Sequence, residues 1–544
     1  MSKLSISHTS VSAAEKAAAA AAVAATTPEL SVAYAFDAVQ LRSRTPSPLI
    51  GVLGAQIDRA PSPAGACSQS LAEFTVTVIV PADRLARKPV GVALTVDVSG
   101  SMAENMEAVV AAVAFVVGKL APGDFFAVQV FSDDVRTLVP PQAWTAAGAA
   151  AAVHKLAACA AEGLTNLAAA TSESMAAAAA MVQMAGAAPN AVYLSPIAIV
   201  VTDGHPTERF GGPLEIVRRV LRQGAAPAAA ESDTDAAAPP AKRPRPECEL
   251  GRAERELALA ELEADAAPRT QLSVIGIGTD LNWRLTELMV RAGGGGVLAA
   301  LTGGLSAEAL SAALGAIVGG AASVTHPDLA LAFEPGTACE FAWELNGRAV
   351  GAQSAGAPAG APGGPPMAGG PAGSFTAGLP PLAAGASISG LLRAAPRHPH
   401  ALVRGGTLGR VWVYSKSGGG GCAYTPVRLP ARASLSPVPD PLARWLARRP
   451  ALLAAIRDAI AAYSDDAGAD ESLAPTLAEL TSPPLLGFGP ADQLAALVRK
   501  LQAGPAAGDA GFVAHAFTSL SQLSGASSDP VPLTQFARTM SQGL

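Results

Sequence analysis

The sequence predicts an α/β fold built on a doubly wound, mainly parallel sheet, and three features support that prediction. Short apolar runs such as Val90–Val96 (VGVALTV) and Pro196–Val201 (PIAIVV) are rich in β-branched residues, as in strands buried on both faces. Longer stretches of helical character, including Met102–Leu120 and Leu167–Ala185, lie between such runs. The two kinds of segment alternate from residue 89 to residue 322, which is the pattern of a parallel sheet covered by helices.

Residues 1–28, rich in Ser and Ala, read as a disordered start. Residues 29–88 hold three short β-type runs, LSVAYAFDAV, PLIGVLGAQI and LAEFTVTVIV. Alternation at Phe74, Val76, Val78 and Val80 suggests an antiparallel sheet with one buried face. Strand Val90–Val96 opens the α/β unit, and the helix after it is stopped by Pro122 and Gly123. Strands Phe125–Phe131 and Arg136–Val139 precede helices Thr145–Ala160 and Leu167–Ala185. Strand Pro196–Thr202, helix Leu214–Arg222, strand Leu272–Ile277, helix Asn282–Arg291, strand Val297–Leu301 and helix Ala307–Val318 complete the unit.

An insert at 224–269, with Ala/Pro-rich, acidic (SDTD) and basic (AKRPRP) stretches, reads as a largely disordered excursion despite the charged helical segment Glu249–Ala264. Lys242, Arg243 and Arg245 read there as solvated linker charges. Residues 323–430 return to β-type runs around a Gly/Pro/Ala-rich loop at 351–373. Each β group alone is too thin to bury two faces, so the two are expected to pair as one β-sandwich. The α/β unit would be inserted into it, with Pro89 and Gly319 emerging close together. Residues 431–544 form a helical region with apolar residues at helix-like steps.

The 544 residues carry 38 Lys and Arg against 44 Asp and Glu, a net charge of −6 that favours neither nucleic acid nor an anionic membrane. Five cysteines without a C-x-x-C pair suggest neither a disulfide framework nor a zinc site. No strongly apolar run of spanning length appears, and Ala17–Ala25 is too Ala-heavy for a secretory core. An intracellular, cytoplasmic protein is expected, with the nucleus or a plastid as the other compartments considered.

Asp97 closes the first buried strand, and Ser99 and Ser101 follow at steps of two around Gly100. The carboxyl edge of an open α/β sheet is where ligands bind, so three oxygen donors gather at a favoured place. Thr165 in EGLTNL and Asp203 in TDGHPT supply two more at loop positions. Oxygen donors without Cys or His suit Mg²⁺, or alternatively Mn²⁺ or Ca²⁺. The competing structural role for Ser101 is to cap the following helix.

DVSGS, a Thr in a G-x-T-N loop and a strand ending in T-D-G together resemble the metal-ion-dependent adhesion site of von Willebrand factor type A domains, whose fold is Rossmann-like. The resemblance implies a divalent ion held by Ser99, Ser101 and Thr165, with Asp97 and Asp203 acting directly or through water. It further implies a protein partner whose Asp or Glu carboxylate completes the coordination. The carboxyl-terminal segments resemble those of plant ubiquitin ligases that pair a RING finger with an A domain. No Cys/His series precedes the A-type segment here, so ligase activity does not carry over, and a non-catalytic scaffold or substrate adaptor is the alternative function.

Catalysis is not expected. Ser99 stands where aspartyl phosphotransferases place a second Asp, and neither GxxxxGK[ST] nor GxSxG occurs around the candidate residues. His205 reads as a loop residue rather than a base.

Overall fold

The computed structural model describes residues 49–59, 70–79, 89–186, 194–224, 246–263 and 270–322 (apart from 280, 303 and 304), and beyond them the strands, helices and short turns between 324 and 524 given below. The expected disordered start, the run at 30–39, most of the insert (225–245 and 264–269) and the 351–373 loop lie outside the described residues.

Two strands, β1 (Leu49–Arg59) and β2 (Ser70–Ile79), precede the α/β unit. The unit contains β3 (Val90–Asp97), α1 (Met106–Lys119), β4 (Phe125–Phe131), β5 (Val135–Ala143), α2 (Ala146–Ala157) and α3 (Leu167–Gly186). It continues through β6 (Ser195–Thr202), α4 (Pro213–Gly224), α5 (Pro246–Glu263), β7 (Gln271–Ile277), α6 (Trp283–Ala292), β8 (Leu298–Leu301) and α7 (Ala307–Ala322). Sheet order is β5-β4-β3-β6-β7-β8. All pairings are parallel except β4 with β5, whose connection is too short for a crossover. Pro140 and Pro141 are tolerated in β5 because it is an edge strand.

Every residue of β3 is buried, and its alternation divides the core. Val90, Val92, Leu94 and Val96 pack with α1, α2 and α7, whereas Ala93 packs with α3, α4, α5 and α6. The smaller side chain lets the Ala-rich α3 approach β3 closely, and Ser174 Oγ reaches the Ala93 carbonyl at 3.4 Å. Gly91 makes room for Leu194, just before β6, whose Cδ2 would stand 2.7 Å from a Cβ there.

Part of the insert is ordered rather than a disordered excursion, and the helical segment expected at Glu249–Ala264 is helix α5, residues 246–263. Leu250, Ala253 and Leu257 recur on one helical face and are buried, while the charges on the other faces pair with the neighbouring helices. Arg284 donates to both oxygens of Glu254 at 2.8 and 2.9 Å, and Arg218 pairs with Glu256. The high charge content of α5 is thus that of an amphipathic helix.

After α7, which runs past Gly319, come β9 (Val324–His326), β10 (Leu329–Pro335), β11 (Phe341–Leu345), β12 (Arg348–Val350), β13 (Phe375–Gly378), β14 (Leu382–Ala383), β15 (Ser387–Pro396), β16 (Thr407–Ser415) and β17 (Val427–Pro430). One sheet has the order β1-β2-β15-β11-β12, and a second has β13-β10-β16-β17. Antiparallel pairing of β2 with β15, from Ser387 opposite Ile79 to Ala394 opposite Ala72, joins strands from the two sides of the α/β unit. The two sheets approach each other at β1 and β17.

Helices α8 (Pro441–Ser464), α9 (Leu473–Leu480), α10 (Gly489–Gln502) and α11 (Ala510–Ser524) follow. They share a continuous core with α3 to α6, and α11 covers α6 and the edge strand β8. A buried ion pair crosses the junction. Arg457 on α8 donates to both oxygens of Glu287 on α6, at 3.1 and 2.7 Å, and Glu287 has no solvent exposure.

Removing Arg457 leaves the buried Glu287 with the more distant Arg291, 3.9 Å away, as its countercharge. Arg457→Ala should cost about 3–5 kcal/mol in denaturant unfolding, and replacing both residues with Met should restore most of that loss. Equal stability of wild type and Arg457→Ala would show that the pair is not closed in solution.

Candidate metal centre

The chain leaves β3 towards β4 on one side and later returns to β6 on the other. A sheet that changes winding direction in this way leaves a crevice at the carboxyl ends of the two central strands. Asp97 ends β3, and Asp203 directly follows β6.

Asp97 has no solvent exposure. Its Oδ1 accepts the Ser99 N–H at 2.8 Å, and its Oδ2 accepts the Thr202 hydroxyl at 2.6 Å. Ser101 Oγ donates to Asp203 Oδ1 at 2.8 Å and lies 3.2 Å from Ser99 Oγ. Asn105 Nδ2 donates to the other Asp203 oxygen at 3.3 Å. The capping role considered for Ser101 is not the one adopted. Ser101 sits inside a 3-10 turn, Gly100–Glu104, and its side chain turns across to the β6 loop.

Thr165 arrives from the loop between α2 and α3. Gly100 N–H donates to the Gly163 carbonyl at 3.3 Å, and Glu162 N–H to the Val98 carbonyl at 2.8 Å, which tie this loop to the end of β3. Gly163 has φ +89°, a conformation that strains a residue carrying a Cβ. On the other side, Thr165 N–H donates to Thr207 Oγ1 at 3.2 Å and its carbonyl accepts Thr207 N–H at 3.0 Å. The Thr165 hydroxyl faces Gly204, where an added Cβ would lie 2.9 Å away. All five residues selected from the sequence therefore meet at one sheet edge, four of them in a single hydrogen-bonded cluster.

Residues 92–205 match the family model of the von Willebrand factor type A domain. The α/β unit has the von Willebrand factor type A fold. A von Willebrand factor type A protein from Catenulispora acidiphila is 14% identical at a TM-score of 0.54, covering 89% of this chain and 98% of that one. The ArnB paralog VWA2 from Sulfolobus acidocaldarius is 12% identical at a TM-score of 0.43, covering 88% of this chain and 99% of that one. Proximal thread matrix protein 1 from the mussel byssus, described with a zinc-occupied MIDAS motif, is 13% identical at a TM-score of 0.26, covering 46% of this chain and 48% of that one. Identities this low establish fold alone, and only the first neighbour is close enough in shape to do so. None of the curated proteins compared with the chain matches it. The family match points to a protein-interaction role for the A domain.

Sequence reasoning missed Thr202, Asn105 and Asp133. Thr202 holds Asp97, and Asn105 holds Asp203. Asp133 organises the Thr165 loop by accepting Leu164 N–H at 3.0 Å while its carbonyl accepts Asn166 Nδ2 at 2.9 Å. Only Thr202 had a signal, as a hydroxyl closing an otherwise apolar strand beside an Asp.

The donors of the A domain site are hydroxyl and carboxylate oxygens, the set that hard divalent cations prefer. Among the described residues no group of three His, Cys, Asp or Glu side chains offers a rival metal site, and no cation pairs with Asp97 or Asp203. Burial pushes the Asp97 carboxyl above its ordinary range, and the charge of Asp203 adds to the rise. Hydrogen bonds from Ser99 and Thr202 oppose it. A buried acid with a negative neighbour and no cationic partner is a setting that a divalent ion fits.

A raised acid pKa means that the ionised form costs folding stability, a cost absent below the ordinary Asp range and complete above the elevated titration. In EDTA, wild type should therefore lose melting temperature relative to Asp97→Asn as pH rises through that titration, and the two should converge in acid. Thermal melts over a pH series read the difference. A gap that does not vary with pH would contradict the electrostatics described.

Proposed function

We propose that the A domain holds one divalent cation, Mg²⁺ or alternatively Mn²⁺ or Ca²⁺, and uses it to bind an acidic side chain of a protein partner. Ser99, Ser101 and Thr165 would hold the ion, with Asp97 and Asp203 supplying the neutralising charge. The supporting observation is the cluster in which Ser101 Oγ lies within hydrogen-bonding distance of both Ser99 Oγ and Asp203, beside the buried and unneutralised Asp97. A bound cation supplies an electrophilic centre for a carboxylate oxygen. The chain's own residues keep it at the sheet edge, where Ser101 is exposed and a partner can reach it.

We assign no catalytic step to the site. It lacks a nucleophile paired with a base, since Ser99 and Ser101 hydrogen-bond to each other and to carboxylates of the cluster. An intracellular setting fits the five cysteines without paired spacing. The tail's likeness to RING-containing plant proteins leaves a non-catalytic scaffold or substrate adaptor as the alternative setting for the same interaction. Among the described residues no helix is long and apolar enough to cross a membrane.

Calorimetric titration with Mg²⁺ and Mn²⁺ should show one site in wild type and none in Asp97→Ala, and equal uptake by both proteins would place the ion elsewhere. Affinity capture in Mg²⁺ should lose the same partners in EDTA, in Asp97→Ala and in Thr165→Ala. Identical partners in every lane would separate the protein's interactions from this site.

A further inference from the structure

Helix α1 starts at a residue that gives its side chain to the site instead of to the helix. Asn105 holds the N-cap position, where Asn is favoured because its side-chain oxygen can accept an N–H of the first turn. No such bond forms at Asn105. Its amide Nδ2 donates instead to Asp203 Oδ2 at 3.3 Å, across 98 residues of sequence. A carboxylate oxygen only accepts, so the nitrogen of the amide is the atom that faces it.

The reach starts from a fixed main chain. Asn105 N–H donates to the Met102 carbonyl at 2.9 Å, and its own carbonyl accepts Val109 N–H at 3.1 Å. Asp203 is thereby held through both carboxylate oxygens by the segment that follows β3, with Ser101 Oγ donating to Oδ1 at 2.8 Å and Asn105 to Oδ2.

The two donors differ in what they can offer a cation. A hydroxyl can turn a lone pair to an ion while its proton stays on a carboxylate, as Ser101 can do towards Asp203. The amide NH₂ of Asn105 has no lone pair to give and serves Asp203 alone. A carboxylate free to turn is a strong ligand for a hard cation, and each one that binds directly fills a position and removes positive charge.

We infer that Asn105 is a positioning residue that keeps Asp203 from binding the cation directly, and so keeps a coordination position open for the partner's carboxylate. The inference rests on the metal-dependent reading above and deepens it by naming the residue that keeps the site receptive. Asn105 acts through Asp203 and is assigned no contact with the ion or the partner.

The test uses the full chain and Mn²⁺ alone, in wild type, Asn105→Ala and Asn105→Ser. Serine keeps a side chain suited to a helix start but is too short to reach Asp203. Electron paramagnetic resonance of the free ion reads Mn²⁺ affinity, and water-proton relaxation reads the number of exchangeable waters on the bound ion. Released from Asn105, Asp203 should become a direct ligand. Both variants should then bind Mn²⁺ about tenfold tighter, the size of effect that losing one hydrogen bond to a charged group allows, and carry one exchangeable water fewer. Weaker Mn²⁺ binding in both variants would make Asn105 a support of its turn, and an unchanged water number would leave Asp203 where it was; either result overturns the inference. Wild type that takes up no Mn²⁺ overturns the metal reading itself, and this inference with it.

Discussion

A carboxylate with no exposure to water is expensive to keep ionised, and Asp97 is such a group at the end of the most buried strand of the sheet. The three loops of the site can be understood as its surroundings. The turn after β3 returns the Ser99 N–H to one oxygen, β6 delivers the Thr202 hydroxyl to the other, and Thr202 in turn accepts Gly204 N–H at 3.2 Å. These bonds meet the carboxylate's demand for donors without meeting its charge. The remaining deficit gives the cluster of Ser99, Ser101 and Asp203 its chemical meaning.

The same economy of buried charge joins the ends of the molecule. Glu287 is as inaccessible as Asp97, but its countercharge is built in, with Arg457 arriving from a helix 170 residues further on. Helices α8 to α11 thereby extend the core that α3 to α6 form, and α11 shields β8 from edge pairing. Two buried acids therefore sit in different settings: one is neutralised within the fold, and the other has no cationic partner among the described residues.

The central sheet was legible because parallel strands buried on both faces read as unbroken β-branched runs, as Val90–Val96 does. The residues proposed for its site could be picked out because they close such runs or interrupt helical stretches. What could not be read depended on contacts distant in sequence. The helical character of α5 could be foreseen but not its packing, because the partners of its charges, Arg218 and Arg284, belong to other helices. The carboxyl-terminal helices could be foreseen as helices, but the pairing of Arg457 with Glu287 across their junction with α6 has no local signature. Asp133 was overlooked for the same reason, since it supports Thr165 from a neighbouring loop.

The central claim is that the oxygens gathered around Asp97 form a cation site at the switch point of the sheet. The most direct measurement is anomalous diffraction from crystals of the full chain grown with Mn²⁺. The account predicts one strong peak within coordination distance of Ser99 Oγ and Ser101 Oγ, absent from crystals of Asp97→Ala. Manganese bound elsewhere, with this cluster left hydrogen-bonded as described, would contradict it.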